Sequence, residues 1–222
     1  MSIKEHLIAI KEELPDACRL VAISKYHPVQ ALQEAYDAGQ RIFGESHVQE
    51  LVGKEDVLPK DIVWHFIGHL QTNKVKYIAP FISLIHAVDT VKLLHEIDKQ
   101  AAKVNRCIDC LLQMHIAQEE TKYGFTPEEL VEMLEHSDWK ELKNIRITGL
   151  MCMATNTDDE TQIRNEFKVA KSMFDNVKIN YFADEPSFCE LSMGMSGDYQ
   201  IAMEEGSTMV RVGSKIFGNR VY

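Results

Sequence analysis

Three stretches of this 222-residue chain carry groups able to do chemistry. The first holds Lys25, in AISKYHP (22–28). A lysine directly after a buried apolar run is unusual. Partial burial disfavours a protonated amine and leaves a better nucleophile toward an aldehyde. A surface lysine in a strand-to-helix loop fits the local pattern equally well. The other two stretches are rich in small residues: LSMGMSGD (191–198) and VRVGSKIFG (210–218). Small residues let backbone amides approach a ligand, and the start of a helix favours an anion. Ser196, Gly197, Gly213 and Ser214 therefore fit a phosphate cup. Either turn alone is explained by tight geometry that needs glycine, whereas two at successive strand ends point to phosphate. Arg211 shares a strand face with Met209 and Gly213. Burying it unpaired is costly, so it needs a partner. A carboxylate such as Glu45 or Glu190 would make it structural, and a ligand acceptor atom would make it functional.

Other polar clusters point to chemistry less well. His65 and His69 lie in WHFIGHLQTNK (64–74), but that segment crosses from strand to loop. The helical i, i+4 geometry of a zinc pair is absent, and His86 and His115 fall on other strands. No metal site is expected. Cys107 and Cys110 form a CxxC without a second pair or a nearby histidine, and read as two core thiols. The five cysteines are odd in number and scattered, which suits reduced thiols in a core.

These residues need elements to position them, and the hydrophobic pattern supplies an alternation of short β runs and amphipathic helices. The expected strands are 19–24, 41–44, 62–67, 84–88, 107–116, 145–150, 188–193 and 208–212. The expected helices are 2–14, one opened by Pro28 and closed near Gly39, 46–53, 72–79, one through Val104, 127–134, 159–174 and 198–205. Thr126 and Glu129 form a capping-box pattern before the sixth. Eight strands with helices between them predict a single (β/α)8 TIM-like barrel, compact for a fold of about 250 residues. A doubly wound open sheet is the alternative, but no GxGxxG follows any strand. One domain over 1–222 is the simplest division. In such a barrel, function sits at the C-terminal ends of the strands, where Lys25 and both small-residue loops fall.

Composition narrows the partners. The chain is 45% hydrophobic and 26% charged, with 24 basic and 34 acidic residues and a formal charge of -10. That balance argues against a nucleic-acid or anionic-membrane surface as the main partner. No apolar run approaches the roughly 18 residues of a membrane helix, and the N-terminus lacks the apolar core of a signal peptide. A cytoplasmic protein is expected. Nothing in the pattern supports a homo-oligomer, so a monomer is the expectation.

The matching stretches AISKYHP, FGESHVQE (43–50), WHFIGHLQTNK, HAVD (86–89), GLM (149–151), LSMGMSGD and VRVGSKIFG together carry a resemblance over nearly the whole chain. The sequence resembles the pyridoxal-phosphate homeostasis proteins of the YggS/PROSC type, which look like the barrel domain of alanine racemase without its second domain. The resemblance implies that Lys25 forms the Schiff base, an aldimine, with pyridoxal 5'-phosphate (PLP). It implies that Ser196, Gly197, Gly213 and Ser214 surround the phosphate and that Arg211 faces the pyridine nitrogen. It implies a non-catalytic role in which the cofactor is buffered or delivered to PLP-dependent apo-enzymes. The alternative is a PLP-dependent amino-acid racemase, and a third reading is a regulatory partner of other proteins. A racemase needs acid–base groups on both faces of the cofactor. In alanine racemase the opposing tyrosine comes from the second domain of a partner chain, and this chain stops at Tyr222. Tyr26, Tyr77, Tyr123 and Tyr199 remain as substitutes. Ser46 stands where the family usually has asparagine. Gln113, Met114 and His115 stand where it often has QVN, and Glu120, Lys122 and Gly124 retain the following pattern loosely.

Overall fold

Helix α1 (Ile3–Glu13) starts at a complete capping box, in which the Ser2 hydroxyl accepts from Glu5 N–H and the Glu5 carboxylate accepts from Ser2 N–H. The computed structural model describes residues 2–118 and 123–218. From α1 the chain alternates. Strands β1 (Arg19–Ile23), β2 (Ile42–Glu45), β3 (Val63–Phe66) and β4 (Leu84–Val88) come first, separated by α2 (Val29–Asp37), α3 (Val48–Val57) and α4 (Val75–Ile78). Helix α5 (Val91–Lys103), β5 (Ile108–Gln113), α6 (Pro127–His136) and β6 (Ile145–Met151) follow. The rest is α7 (Glu160–Tyr181), β7 (Glu190–Met195), α8 (Tyr199–Glu204), β8 (Met209–Val212) and α9 (Ser214–Phe217). All eight strands pair in parallel and in chain order, and β8 returns to β1 to close the barrel. The expected (β/α)8 barrel is the observed architecture.

Two apolar layers follow from the strand alternation. Val21, Ile23, Leu84, Ala87, Leu111, Met151 and Met209 fill the barrel interior. A larger set, including Leu32, Phe43, Leu51, Leu94, Phe167 and Phe188, cements helices to the outside of the sheet. Gly149 shows how tight the wall is. Its φ is +157°, and a Cβ there would lie 1.8 Å from the Glu190 carbonyl. The register skips beside it, from Cys110↔Ile147 to Leu111↔Gly149, so a bulge interrupts the β5–β6 ladder.

The structure corrects several sequence-based boundaries. Helix α3 passes through Gly53 to Val57, because Leu51 and Lys54 are buried on either side of that glycine. Helix α7 runs on to Tyr181, its buried stripe continuing through Phe174 and Val177. Strand β7 begins at Glu190; Phe188 instead stacks between Phe174 and Phe182 in the outer layer. Cys107 precedes β5 and is exposed, as is Cys189, so neither is a core thiol. A 3-10 turn at Trp139–Glu141 and helix α9 are additions. Glu120, Lys122 and Tyr222 lie outside the described residues.

Candidate functional site

Lys25, Ser196, Gly197, Arg211, Gly213 and Ser214 line one cavity of about 290 Å³ at the C-terminal mouth of the barrel. His27, Ser46, Gly68 and Met153 also line it, with Ile23, Ile67 and Met195 as its apolar part. Each predicted residue arrives there from a strand end. Lys25 follows β1, Ser196 and Gly197 follow β7, Arg211 sits on β8, and Gly213 and Ser214 follow it. The two small-residue loops touch: Gly213 N–H donates to Ser196 Oγ at 3.1 Å. A Cβ on Gly197 would meet nothing within 4 Å, while one on Gly213 would press on the Ile23 carbonyl at 3.0 Å.

Beneath Lys25 lies a charged network. Tyr26 adopts a left-handed φ of 66°, uncommon for an aromatic residue. Its N–H donates to Glu50 Oε1 at 2.6 Å. On the other side of Lys25, the Ser24 carbonyl accepts from Lys54 Nζ at 2.7 Å. Lys54 also reaches Glu45 Oε1 and Glu50 Oε1, each at 2.7 Å, and the Ser24 hydroxyl donates to Glu45 Oε1 at 2.6 Å. The backbone flanking Lys25 is thus clamped from both sides. Burial pushes the Glu45 carboxyl up to about 7, its desolvation outweighing the attraction of Lys54. Its second oxygen, Oε2, is buried without a hydrogen-bond partner among the described residues.

Arg211 meets a different environment. Glu190 pairs with Arg19 and Glu45 with Lys54, so neither carboxylate serves it. Its Nη1 donates to Ser192 Oγ at 2.7 Å and its Nη2 to the Cys152 carbonyl at 2.8 Å. A guanidinium has five N–H donors, so three remain beyond these two neutral acceptors. Ser192 continues to His86, whose Nδ1 lies 3.0 Å from Ser192 Oγ, and His86 Nε2 lies 2.9 Å from His65 Nδ1. Burial drives both histidines down, His65 to about 3, so both are neutral.

The remaining candidates lie elsewhere. His69 pairs with Asp89 at 3.1 Å and stacks on Tyr123 with centroids 4.1 Å apart. The Tyr199 hydroxyl donates to Glu13 at 2.5 Å, and Tyr26 Oη lies 3.3 Å from His47 Nε2. Tyr77 is exposed beside Lys76. Among the described residues no tyrosine lines the cavity. No group of three or more His, Cys, Asp or Glu side chains among them could hold a metal ion.

Sequence reasoning missed the Lys54 clamp and the Ser192–His86–His65 chain. Only the Glu50–Lys54 pair, at i, i+4 spacing on a helix, left a readable signal. Ser46, singled out as a departure, does line the cavity, and Gly68 is confined by it: a Cβ on Gly68 would lie 2.5 Å from the Ser46 carbonyl.

Comparison with known proteins extends these observations. The family model "Alanine racemase, N-terminal domain" matches residues 1–221. The pyridoxal phosphate homeostasis protein of Aquifex aeolicus is 37% identical over all of both chains. The human pyridoxal phosphate homeostasis protein is 39% identical, covering 92% of this chain and 77% of its own. PipY of Synechococcus elongatus, solved without and with PLP bound, is 34% identical, with TM-scores of 0.92 and 0.88 over 98% of this chain and 100% of its own. Alanine racemase of Bartonella henselae, at 17% identity and TM-score 0.74, shares the fold; the match covers 98% of this chain and 58% of the racemase.

Proposed function

The chain belongs to the alanine racemase N-terminal-domain family and, within it, to the pyridoxal phosphate homeostasis proteins; from that premise we propose that it binds PLP in the Lys25 cavity and serves PLP balance by buffering or delivering the cofactor. The observation that carries this reading is the convergence of an amine, a donor-only cation and two small-residue loops on one cavity. The residues suit the group. PLP offers an aldehyde, a ring nitrogen and a phosphate dianion, and when bound it supplies an electrophilic carbon and an electron sink. Lys25 provides the amine for the aldehyde. Arg211, with donors to spare, faces an acceptor. Ser196, Gly197, Gly213 and Ser214 give hydroxyls and close backbone approach for the phosphate.

We further propose that the protein is a carrier. Arg211 is permanently cationic and donor-only, so opposite a ring nitrogen it favours the unprotonated ring and a weak sink. That opposes transaminase chemistry. Racemisation tolerates a weak sink but needs acid–base groups on both faces, and no described tyrosine stands opposite Lys25. The same reading makes the protein a cytoplasmic monomer of one domain over 1–222, whose partners are PLP and PLP-dependent apo-enzymes. Neither nucleic acid nor membrane is among them. A formal charge of -10 supports this, and no described helix is long and apolar enough to cross a membrane.

The test is direct. Loaded protein should transfer PLP to an apo-enzyme and show no racemase or transaminase turnover above free cofactor. Lys25-dependent exchange of an amino acid's α-proton into deuterated water at enzyme-like rates would favour the racemase instead. Ser196→Ala should weaken PLP binding by about tenfold and barely change binding of unphosphorylated pyridoxal. Equal weakening of both would place Ser196 away from the phosphate.

A further inference from the structure

Arg211, Ser192, His86 and His65 come from β8, β7, β4 and β3 and join into one chain across the barrel interior. All four are at most 4% exposed. The guanidinium can only donate, which fixes one end. One arrangement of protons satisfies every link: Ser192 O–H donates to His86 Nδ1, and His86 Nε2–H donates to His65 Nδ1. His65 Nε2–H is then left facing a second cavity at the N-terminal mouth, shared with Arg19, Asp109 and Glu190. The reverse arrangement strands the proton of the fully buried Ser192 hydroxyl without an acceptor among its described partners, a costly outcome.

Every donor in the favoured arrangement points away from Arg211, and every lone pair points toward it. Aligned hydrogen bonds of this kind polarise one another. The chain therefore presents the negative end of a row of neutral dipoles to the buried guanidinium. A carboxylate in that place would cancel the charge and occupy the donors. Neutral dipoles hold the guanidinium in orientation on this side, and the Asp198 carboxylate adds a Coulombic attraction.

We propose that Ser192 and His86, backed by His65, are positioning residues that aim Arg211 at an unprotonated ring nitrogen of the bound ligand. The inference rests on the PLP reading, with Arg211 opposite the ring nitrogen, and assigns the residues that hold it there. Its test compares PLP with 1-deazapyridoxal 5'-phosphate, in which the ring nitrogen is replaced by carbon. The wild-type protein should prefer PLP by roughly tenfold or more, the worth of a hydrogen bond from a charged donor. In Ser192→Ala and His86→Phe that preference should collapse toward parity, while the deaza analogue binds nearly as before. A merely structural role would weaken both ligands by the same factor and would overturn the proposal, as would a wild-type protein that does not discriminate. A wild-type protein that binds neither ligand would sink the PLP reading itself. The chain's direction is then judged separately, without ligand and without variants that fail to fold. Nitrogen-15 NMR of the wild-type histidines should show His86 protonated at Nε2, bare at Nδ1 and unchanged from pH 5 to 8. A proton on Nδ1, or titration in that window, would overturn the arrangement.

Discussion

Beneath Lys25 the barrel buries charges in opposition; beneath Arg211 it hydrogen-bonds one buried charge to neutral groups. Glu45, Glu50 and Lys54 compensate one another and grip the backbone on both sides of Lys25. Their pairing fixes the backbone from which Lys25 projects. Ser192, His86 and His65 carry no charge and hold Arg211 through neutral groups, while the Asp198 carboxylate adds a Coulombic attraction. The contrast matches two tasks. A nucleophile must be placed rigidly at a strand end, whereas a recognition group must keep its donors available.

The largest expected effect comes from breaking the charged network. Lys54→Met strands Glu45 in the interior, and removal of one partner from a buried pair costs about 3–5 kcal/mol. Urea unfolding measures it. Adding Glu45→Gln should restore much of the loss; no restoration would show that the pair is uncoupled.

The two networks should also respond to pH with opposite signs. Glu45 is raised in the folded protein from 4.5 to about 7. Its contribution is fully present below 4.5 and is lost as pH rises toward 7, by up to about 3 kcal/mol. Glu45→Gln should therefore remove a decline in stability between pH 5 and 7. His65 and His86 are lowered from 6.5. Their contribution is present above 6.5 and is lost as pH falls, because only the unfolded chain takes up the protons. His86→Phe should lose less stability than wild type on acidification from pH 7 to 5. Parallel pH profiles for the two variants would erase the distinction drawn between the networks.

The smallest effect belongs to the neutral chain's central link. Ser192→Ala should cost about 1–3 kcal/mol, the loss of an acceptor for Arg211 and a donor for His86. Thermal unfolding at neutral pH, compared with Lys54→Met, ranks the two networks.

Much of this architecture was legible in the sequence. Strand β4 was readable to the residue, because Leu84 to Val88 is an apolar run broken only by His86 and buried on both faces. The six cavity residues were readable from their positions at strand ends, since barrel topology alone brings such ends together. The supporting networks were not. Ser192 and His86 are 106 positions apart, and their contact exists only once β4 and β7 face each other across the interior. Glu45 and Lys54 join a strand end to a helix, a relation that no periodicity encodes. From the sequence, Glu45 is as eligible a partner for Arg211 as Glu190, because a buried charge needs compensation without the sequence indicating by which residue.

Cofactor binding in this cavity turns most directly on Lys25. Borohydride reduction of the PLP-loaded protein, followed by peptide mass spectrometry, fixes the cofactor wherever its carbon–nitrogen link has formed. The label should sit on Lys25, and Lys25→Ala should fold, stay unlabelled and lose the visible absorbance of the bound cofactor. A label on Lys74 or Lys215, or undiminished labelling of Lys25→Ala, would contradict it.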